Sequence, residues 1–431
     1  MPDAQRLWTM TSRKAKRCYV YITLPGELEA VTAARFELSD GVGKLVYGRS
    51  YLARNNAVEI DPVELKLGTQ QYETALLRGV FGALRDASPD YWGRLVIDRA
   101  AGKAKLDEVD YLIQSADDRA GALGFGHNEN PPAPKRDFNK TLDLKSLQET
   151  ALALLKNDGK LKGSEAVQAQ KLLLLGTSMG GMRPKAVVED SKGLWIAKFN
   201  RPDDRWNNAR VEHAMLTLAR RCGIAAAESR VVKVGDRDIL LVKRFDREKT
   251  KDGYLRSRMV SGLTLLRADD VAGDRAKWSY PALAEELRRV CSEPRESANE
   301  LFRRMVFNAL ISNTDDHPRN HAIIASDRSW QLSPAYDLTP TPSAGMERDL
   351  AMTIGDFGRR ATAQNLVTQS ARFLLLKEQA ETVVAKMERI VRGQWETVAR
   401  AAKVTVKDCA TIRNALENEG FSFEAGEAGA L

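Results

Sequence analysis

The sequence predicts an α+β protein of two lobes, a small strand-rich one and a mainly helical one, with an additional mixed α/β domain at the N-terminus. Three observations carry this expectation. Between about residues 185 and 243, short apolar runs alternate with turn residues at hairpin spacing. From about Ser257 onward the pattern is mainly helical, and Ala363 to Lys407 holds several amphipathic segments with apolar residues every three or four positions. Within that second region, LISNTDDHPRNHAIIASDRSWQLSPAYDLTP (Leu310 to Pro340) sets a polar, carboxylate-rich loop at the end of an apolar helical run.

At 431 residues and 43% hydrophobic, the chain can bury a sizeable core and makes two or three domains of ordinary size. The expected boundaries are 1–135, 136–250 and 251–431, the first at the linker NENPPAP (Asn128 to Pro134). No run approaches the roughly eighteen apolar residues of a membrane span. MPDAQRLWTMTSRKAKRC lacks the apolar core of a signal peptide, so a cytoplasmic protein is expected. The four cysteines (Cys18, Cys222, Cys291, Cys409) show no CxxC spacing, which argues against a disulfide framework or a zinc site. His317 and His321 lie near Asp315 and Asp316, but His127 and His213 are far away in sequence, and no His-ligated metal is expected. The formal charge of +8 suits a phosphate-bearing partner, although the 66 basic and 58 acidic residues are mostly interspersed.

Taken in order, CYVYITL, Ala30 to Leu38 and KLVYGRSYL read as a small antiparallel sheet. Leu76 to Ala100 looks helical at both ends, with Ser88-Pro89-Asp90 starting a second helix whose core face is Trp92, Leu95 and Val96. Beyond the linker, helices are expected through Leu154 and from Ser164 to Leu175.

LLLLGTSMGGMRPKAVVED then leads into a strand, a turn and a second strand, GLWIAKFN. Gly176, Gly180 and Gly181 free the backbone to approach a ligand and aim N–H groups at phosphate oxygens, although a plain hairpin turn fits the same residues. Lys198, on the next strand, stands where a kinase carries its phosphate-binding lysine. Val211, Met215 and Leu218 mark a helix capped by Gly223. Near its start, Glu212 is placed to pair with that lysine, and it is equally favourable there to the helix dipole. A hairpin around Gly235-Asp236 runs into Lys243-Arg244-Phe245-Asp246, the expected hinge between lobes.

In the carboxylate-rich loop, Asp315-x4-Asn320 supplies a carboxylate for an attacking hydroxyl and an amide for Mg²⁺. Two short runs, His321 to Ala325 and Ser329 to Leu332, read as a hairpin delivering Asp337 as a second metal ligand. Taken alone the motif is ordinary loop chemistry, since Asp and Asn also bond their own backbone in turns.

In this order, TSMGGMRPK, AKFN, VKRFDR, NTDDHPRNHA and SPAYDLTP resemble the signature segments of the HipA family, the serine/threonine-kinase toxins of bacterial toxin-antitoxin pairs, and Phe81 to Arg99 resembles part of its N-terminal domain. The resemblance covers nearly the whole chain and implies a protein-kinase-like fold. It implies that Asp315 accepts the substrate hydroxyl proton, that Asn320 and Asp337 hold Mg²⁺, and that Lys198 neutralises the ATP phosphates. Gly180, Gly181, Met182, Arg183, Pro184 and Lys185 would form the phosphate loop, and Lys243, Arg244 and Phe245 would border the adenine. His317 would also contact ATP. Ser178 matches the serine that family members autophosphorylate. The implied partners are a helix-turn-helix antitoxin, operator DNA gripped through it, and a protein substrate with a Ser or Thr acceptor.

Three departures stand out. Lys243 occupies a hinge position where the family can carry Glu. Asp316 adds a second carboxylate beside Asp315, and spacing alone separates them, since only Asp315 makes D-x4-N. Asp356-Phe357-Gly358 spells a kinase DFG but follows the YDL segment, and reads as a loop of the helical lobe. The alternative readings are a small-molecule phosphotransferase with the same core, or a basic DNA-binding repressor partner with a vestigial kinase site.

Overall fold

The computed structural model describes residues 16–421 except 102–105, 116–117, 135–137, 141–143, 157–182, 344, 346 and 419. The expected helix from Ser164 to Leu175 and the tail after Phe423 lie outside the described residues. A first, wholly antiparallel sheet runs in the order Tyr72–Thr74, Val42–Tyr47, Ala30–Ser39, Lys16–Thr23, Leu123–Gly126. Alternation along its strands drives Val20, Ile22, Phe36 and Leu45 into the core. The end of the run expected as a third strand is instead the short helix Arg49–Leu52. The Asn128 to Pro134 linker starts against this sheet, where the Tyr21 and Thr32 hydroxyls donate to the carbonyls of Asn128 and Glu129.

The second sheet has the order Asn139–Lys140, Lys185–Asp190, Gly193–Phe199, Arg237–Lys243, Ser229–Val234, antiparallel apart from its first pair. Its side chains serve two cores. Ile239 and Leu241 share one buried cluster with Trp92, Val96, Leu144 and Leu147, while Leu240 and Val242 share the other with Val211, Met215 and Leu218. The sheet is therefore covered on one face by helices Tyr91–Ala101 and Leu144–Lys156 and on the other by Asn208–Arg221. Burial on both faces explains why ILLV reads as one continuous apolar run.

The rest of the chain is mainly helical, built on Tyr280–Val290, Pro294–Leu310, Lys377–Ala401 and Val406–Leu416. One element departs from the helical expectation. Arg258–Ser261 is a strand because Ala322–Ala325 offers it an antiparallel edge, and Gln331–Leu332 completes a three-stranded sheet. A four-residue strand has no period long enough to show in sequence. No helix among the described residues is long and apolar enough to cross a membrane.

A buried ion cluster ties the N-terminal region to the hinge. Arg244 bonds both Asp118 and Asp246, Arg247 Nη1 bonds Asp246 at 2.9 Å, and the Gly121 amide donates to Asp246 at 2.9 Å. All four charged side chains are at most 2% exposed. Burial works against the Arg247 charge and the neighbouring Arg244 adds to that, bringing its pKa down to about 9. Removing one member leaves a buried charge uncompensated, so Asp118→Ala is expected to cost about 3–5 kcal/mol in chemical denaturation. A loss near that of an exposed pair, below about 1 kcal/mol, would mean that the cluster opens to water.

Candidate active site

Lys198 lies on Gly193–Phe199 in register with Lys185 on one neighbour and Leu240 on the other. Its Nζ sits 2.6 Å from Glu212 Oε1 and 2.6 Å from Asp337 Oδ1. Burial works against the Lys198 charge, but the two carboxylates together hold its pKa above the ordinary lysine value. Burial likewise opposes ionisation of Asp337, and Lys198 more than offsets it, holding that carboxyl at about 2. Glu212 is pushed up by burial, with Lys198 opposing and Asp337 reinforcing the shift. Asp337 adopts a left-handed backbone (φ 61°), a conformation that Asp tolerates better than most residues.

The Asp315 loop follows helix Pro294–Leu310, which ends where Ser312 turns left-handed (φ 52°) and bonds its hydroxyl to the Ala415 carbonyl at 2.8 Å. Asp315 is bound by no hydrogen bond or ion pair among the described residues and faces the cleft. Burial raises its pKa, Asp337 and Asp316 push the same way, and His317 opposes them. A raised carboxylate is a stronger proton acceptor. Asp316 is buried instead, held by the Tyr280 hydroxyl and by His321 Nε2 at 2.8 Å.

Two adjoining cavities meet at Lys198, His317, Asn320 and Asp337, which line both. The first has apolar walls from Ile196, Val242, Phe245, Met259 and Tyr336. The rings of Phe245 and Tyr336 lie 5.6 Å apart. The second is charged and open to Arg183, Lys185, Arg201, Asp204 and Asp315. His317 Nδ1 is buried with no hydrogen-bond partner among the described residues.

Ser178, Gly180, Gly181 and Met182 lie outside the described residues. Arg183 makes a two-pronged bond to Asp204 at 2.8 and 3.0 Å, and Pro184 precedes the strand. Lys185 is buried, its Nζ 2.7 Å from Asp90 Oδ2. Lys243 lines the first cavity, but its ammonium turns to Glu228 at 3.3 Å. Arg244 also lines it, with its guanidinium committed to the buried ion cluster. The Asp356-Phe357-Gly358 turn packs on helix Ala363–Thr368, where Asp356 accepts from Gln369 at 2.8 Å, and it lines neither cavity.

Asp86, Ser88, Asp90 and Ala120, which also line the first cavity, come from the N-terminal region, outside the candidate motifs. Ser88-Pro89-Asp90 shows in sequence only as a helix start; Asp90 Oδ1 indeed accepts from the Gly93 amide at 2.7 Å, while its Oδ2 takes Lys185. Nothing local announces the second contact.

Residues 177–409, more than half of the chain, match the HipA-like C-terminal domain family. Toxin YjjJ of Escherichia coli is 28% identical over 217 residues, which is 46% of this chain and 47% of that protein, so the match spans about half of that relative's length. Y4mE of Sinorhizobium fredii, named as a candidate kinase, is 22% identical over 328 residues, covering 72% of this chain and 75% of that protein. Among solved structures, a chain of the Shewanella oneidensis toxin-antitoxin complex of HipA, HipB and operator DNA superposes with a TM-score of 0.65 at 15% identity, covering 92% of this chain and 95% of that one. At that identity the likeness establishes the α+β, two-lobed fold. The extent of the family match carries the assignment further: this chain belongs to the HipA family.

Proposed function

We propose that this protein is an ATP-dependent serine/threonine-protein kinase that acts as the toxin of a bacterial toxin-antitoxin pair. The observation that carries the reading is Lys198 held between Glu212 and Asp337 in a cleft also lined by Asp315, which makes no hydrogen bond or ion pair among the described residues. In this reading residues 1–135, 136–250 and 251–431 form the N-terminal domain, the small lobe and the helical lobe. The apolar cavity takes the adenine, with the hinge backbone from Lys243 to Phe245 at its edge. The phosphates lie at the junction, where Lys198 neutralises them and His317, which lines both cavities, can bond an oxygen.

The residues at the junction fit a Mg²⁺ ion. Asp337 is a hard, ionised carboxylate with Oδ2 unused by Lys198, and Asn320 lines the same junction with an amide oxygen. One or two protein oxygens plus substrate phosphates are the usual Mg²⁺ environment. When bound, the ion would supply charge neutralisation between the phosphoryl groups. Asp315 accepts the proton of the acceptor hydroxyl, and catalysis is otherwise positioning and fixed charge. Incubating the protein with γ-labelled ATP and Mg²⁺, with protein and with metabolite acceptors compared, tests the reading. Label on Ser or Thr of protein is expected; label only on metabolites would make it a small-molecule phosphotransferase.

The partners follow from the same reading. A helix-turn-helix antitoxin and operator DNA are proposed, the Shewanella complex being one of HipA with HipB and operator DNA, and the net charge of +8 favours phosphate contacts. Ser178 is proposed as an autophosphorylation site. A phosphate there adds about −1.5 to −2 charges, which would repel the ATP phosphates. The nearby cations Arg183 and Lys185 are paired with Asp204 and Asp90, so phosphoserine would have to compete for them. Mass spectrometry after incubation with ATP should find phosphate on Ser178, and Ser178→Asp should weaken ATP binding more than Ser178→Ala. An unmodified Ser178 in enzyme that phosphorylates other proteins would remove self-inhibition and leave the kinase.

A further inference from the structure

We propose that Asp316 is a positioning residue that locks the loop of Asp315 to the backbone of Asp337. This inference rests on the kinase reading and adds to it a set of residues with no contact to substrate. Asp316 Oδ2 is the shared acceptor of two buried donors, the Tyr280 hydroxyl and His321 Nε2. The Tyr280 oxygen accepts in turn from Asn308 Nδ2 at 3.2 Å, and Asn308 Oδ1 accepts from Asn313 Nδ2 at 3.0 Å. That same Asn313 nitrogen reaches the Asp337 carbonyl at 3.4 Å. Tyr280, Asn308, Asn313, Asp316 and His321 are all buried, so water does not compete for these bonds.

The chain of bonds joins three elements that are distant in sequence. Tyr280 opens helix Tyr280–Val290, Asn308 lies in the last turn of Pro294–Leu310, and His321 precedes strand Ala322–Ala325. Its two ends are the residue after Asp315 and the carbonyl of Asp337. The carboxylate that receives a proton and the carboxylate that faces Lys198 are thereby fixed in one frame. With its proton on Nε2 the His321 ring donates to Asp316, while Nδ1 is buried with no hydrogen-bond partner among the described residues. The engagement also separates the paired carboxylates. Asp316 has its accepting oxygen occupied and is 1% exposed, whereas Asp315 is open to the cleft.

The test is a series of variants of the full chain with Asp315→Asn beside it. Asp316→Ala leaves two buried donors without an acceptor; displacement of the loop on the order of 1 Å should lower kcat about 100-fold, with a smaller rise in KM for ATP because Lys198 and the apolar walls belong to other elements. Asp316→Asn keeps a neutral oxygen at the acceptor position and should restore most of kcat, while Asp315→Asn is not rescued. Tyr280→Phe, which keeps the ring and removes one donor, should fall between. Wild-type kcat in a folded Asp316→Ala, or Asp316→Asn as inactive as Asp316→Ala, overturns the proposal. Amide hydrogen exchange reads the same frame without turnover: Asp316→Ala should speed exchange at 313–320 and 337 while helix Lys377–Ala401 stays protected. Unchanged exchange overturns the positioning role, and wild-type protein that transfers no phosphoryl group overturns the kinase reading alone.

Discussion

Asp315→Asn is expected to abolish phosphoryl transfer while ATP binding survives. The substitution keeps the size of the side chain and removes its ability to take a proton, and positioned proton transfer contributes on the order of 10² to 10⁴ in rate. Binding should persist because Lys198 and the apolar walls, proposed to hold the nucleotide, belong to other elements. Asp315 is also tied by no hydrogen bond among the described residues, so its replacement breaks none of theirs and the folded stability should hold. Transfer assays and calorimetric ATP titration on one preparation check both halves. Near-normal turnover would remove Asp315 from the chemistry, and lost ATP binding would move it to the nucleotide side.

The second large effect is expected at Asp337. Asp337→Ala should lose Mg²⁺-dependent nucleotide binding, because the carboxylate that Lys198 holds ionised at about 2 is the hardest oxygen donor at the cavity junction. Two controls separate this from damage to the backbone. Asp337→Asn tolerates the same left-handed conformation and should also lose the metal dependence. Asp356→Ala should change nothing, since Asp356 faces Gln369 outside both cavities. Titration of each variant with ATP, with and without Mg²⁺, gives the comparison; metal dependence lost in Asp356→Ala and kept in Asp337→Ala would reverse the assignment. The ion pair adds a stability consequence. The Asp337 carboxyl is depressed in the folded state, so its contribution is present above the ordinary carboxylate value and is lost as pH falls toward about 2.

Much of this arrangement was legible in the sequence because its signals are local. A strand pattern shows wherever a sheet face is buried, and Lys198, Glu212, Asp315, Asn320 and Asp337 could be picked out by their places relative to strands, helix starts and turns. Arg258–Ser261 was not legible, being a strand only through its partner Ala322–Ala325. Asp90 was half legible: its cap to Gly93 is a contact between neighbours, while its bond to Lys185 spans 95 positions. The contribution of Asp86, Ser88 and Ala120 to the cavity is of the same kind.

By itself the sequence determined the alternation of sheets and helices, the order of the motifs and the family, because propensity, periodicity and motif spacing act within a few residues or along the chain. Spacing to Asn320 favoured Asp315 of two adjacent carboxylates, and only the tertiary structure showed how each is engaged among the described residues. Asp315 and Asp316 are one position apart and chemically identical, so nothing but their surroundings can differ. Tyr280 and His321 close on Asp316 in a buried site that would otherwise strand its charge, whereas Asp315 is left open to the cleft beside Lys198 and Asp337.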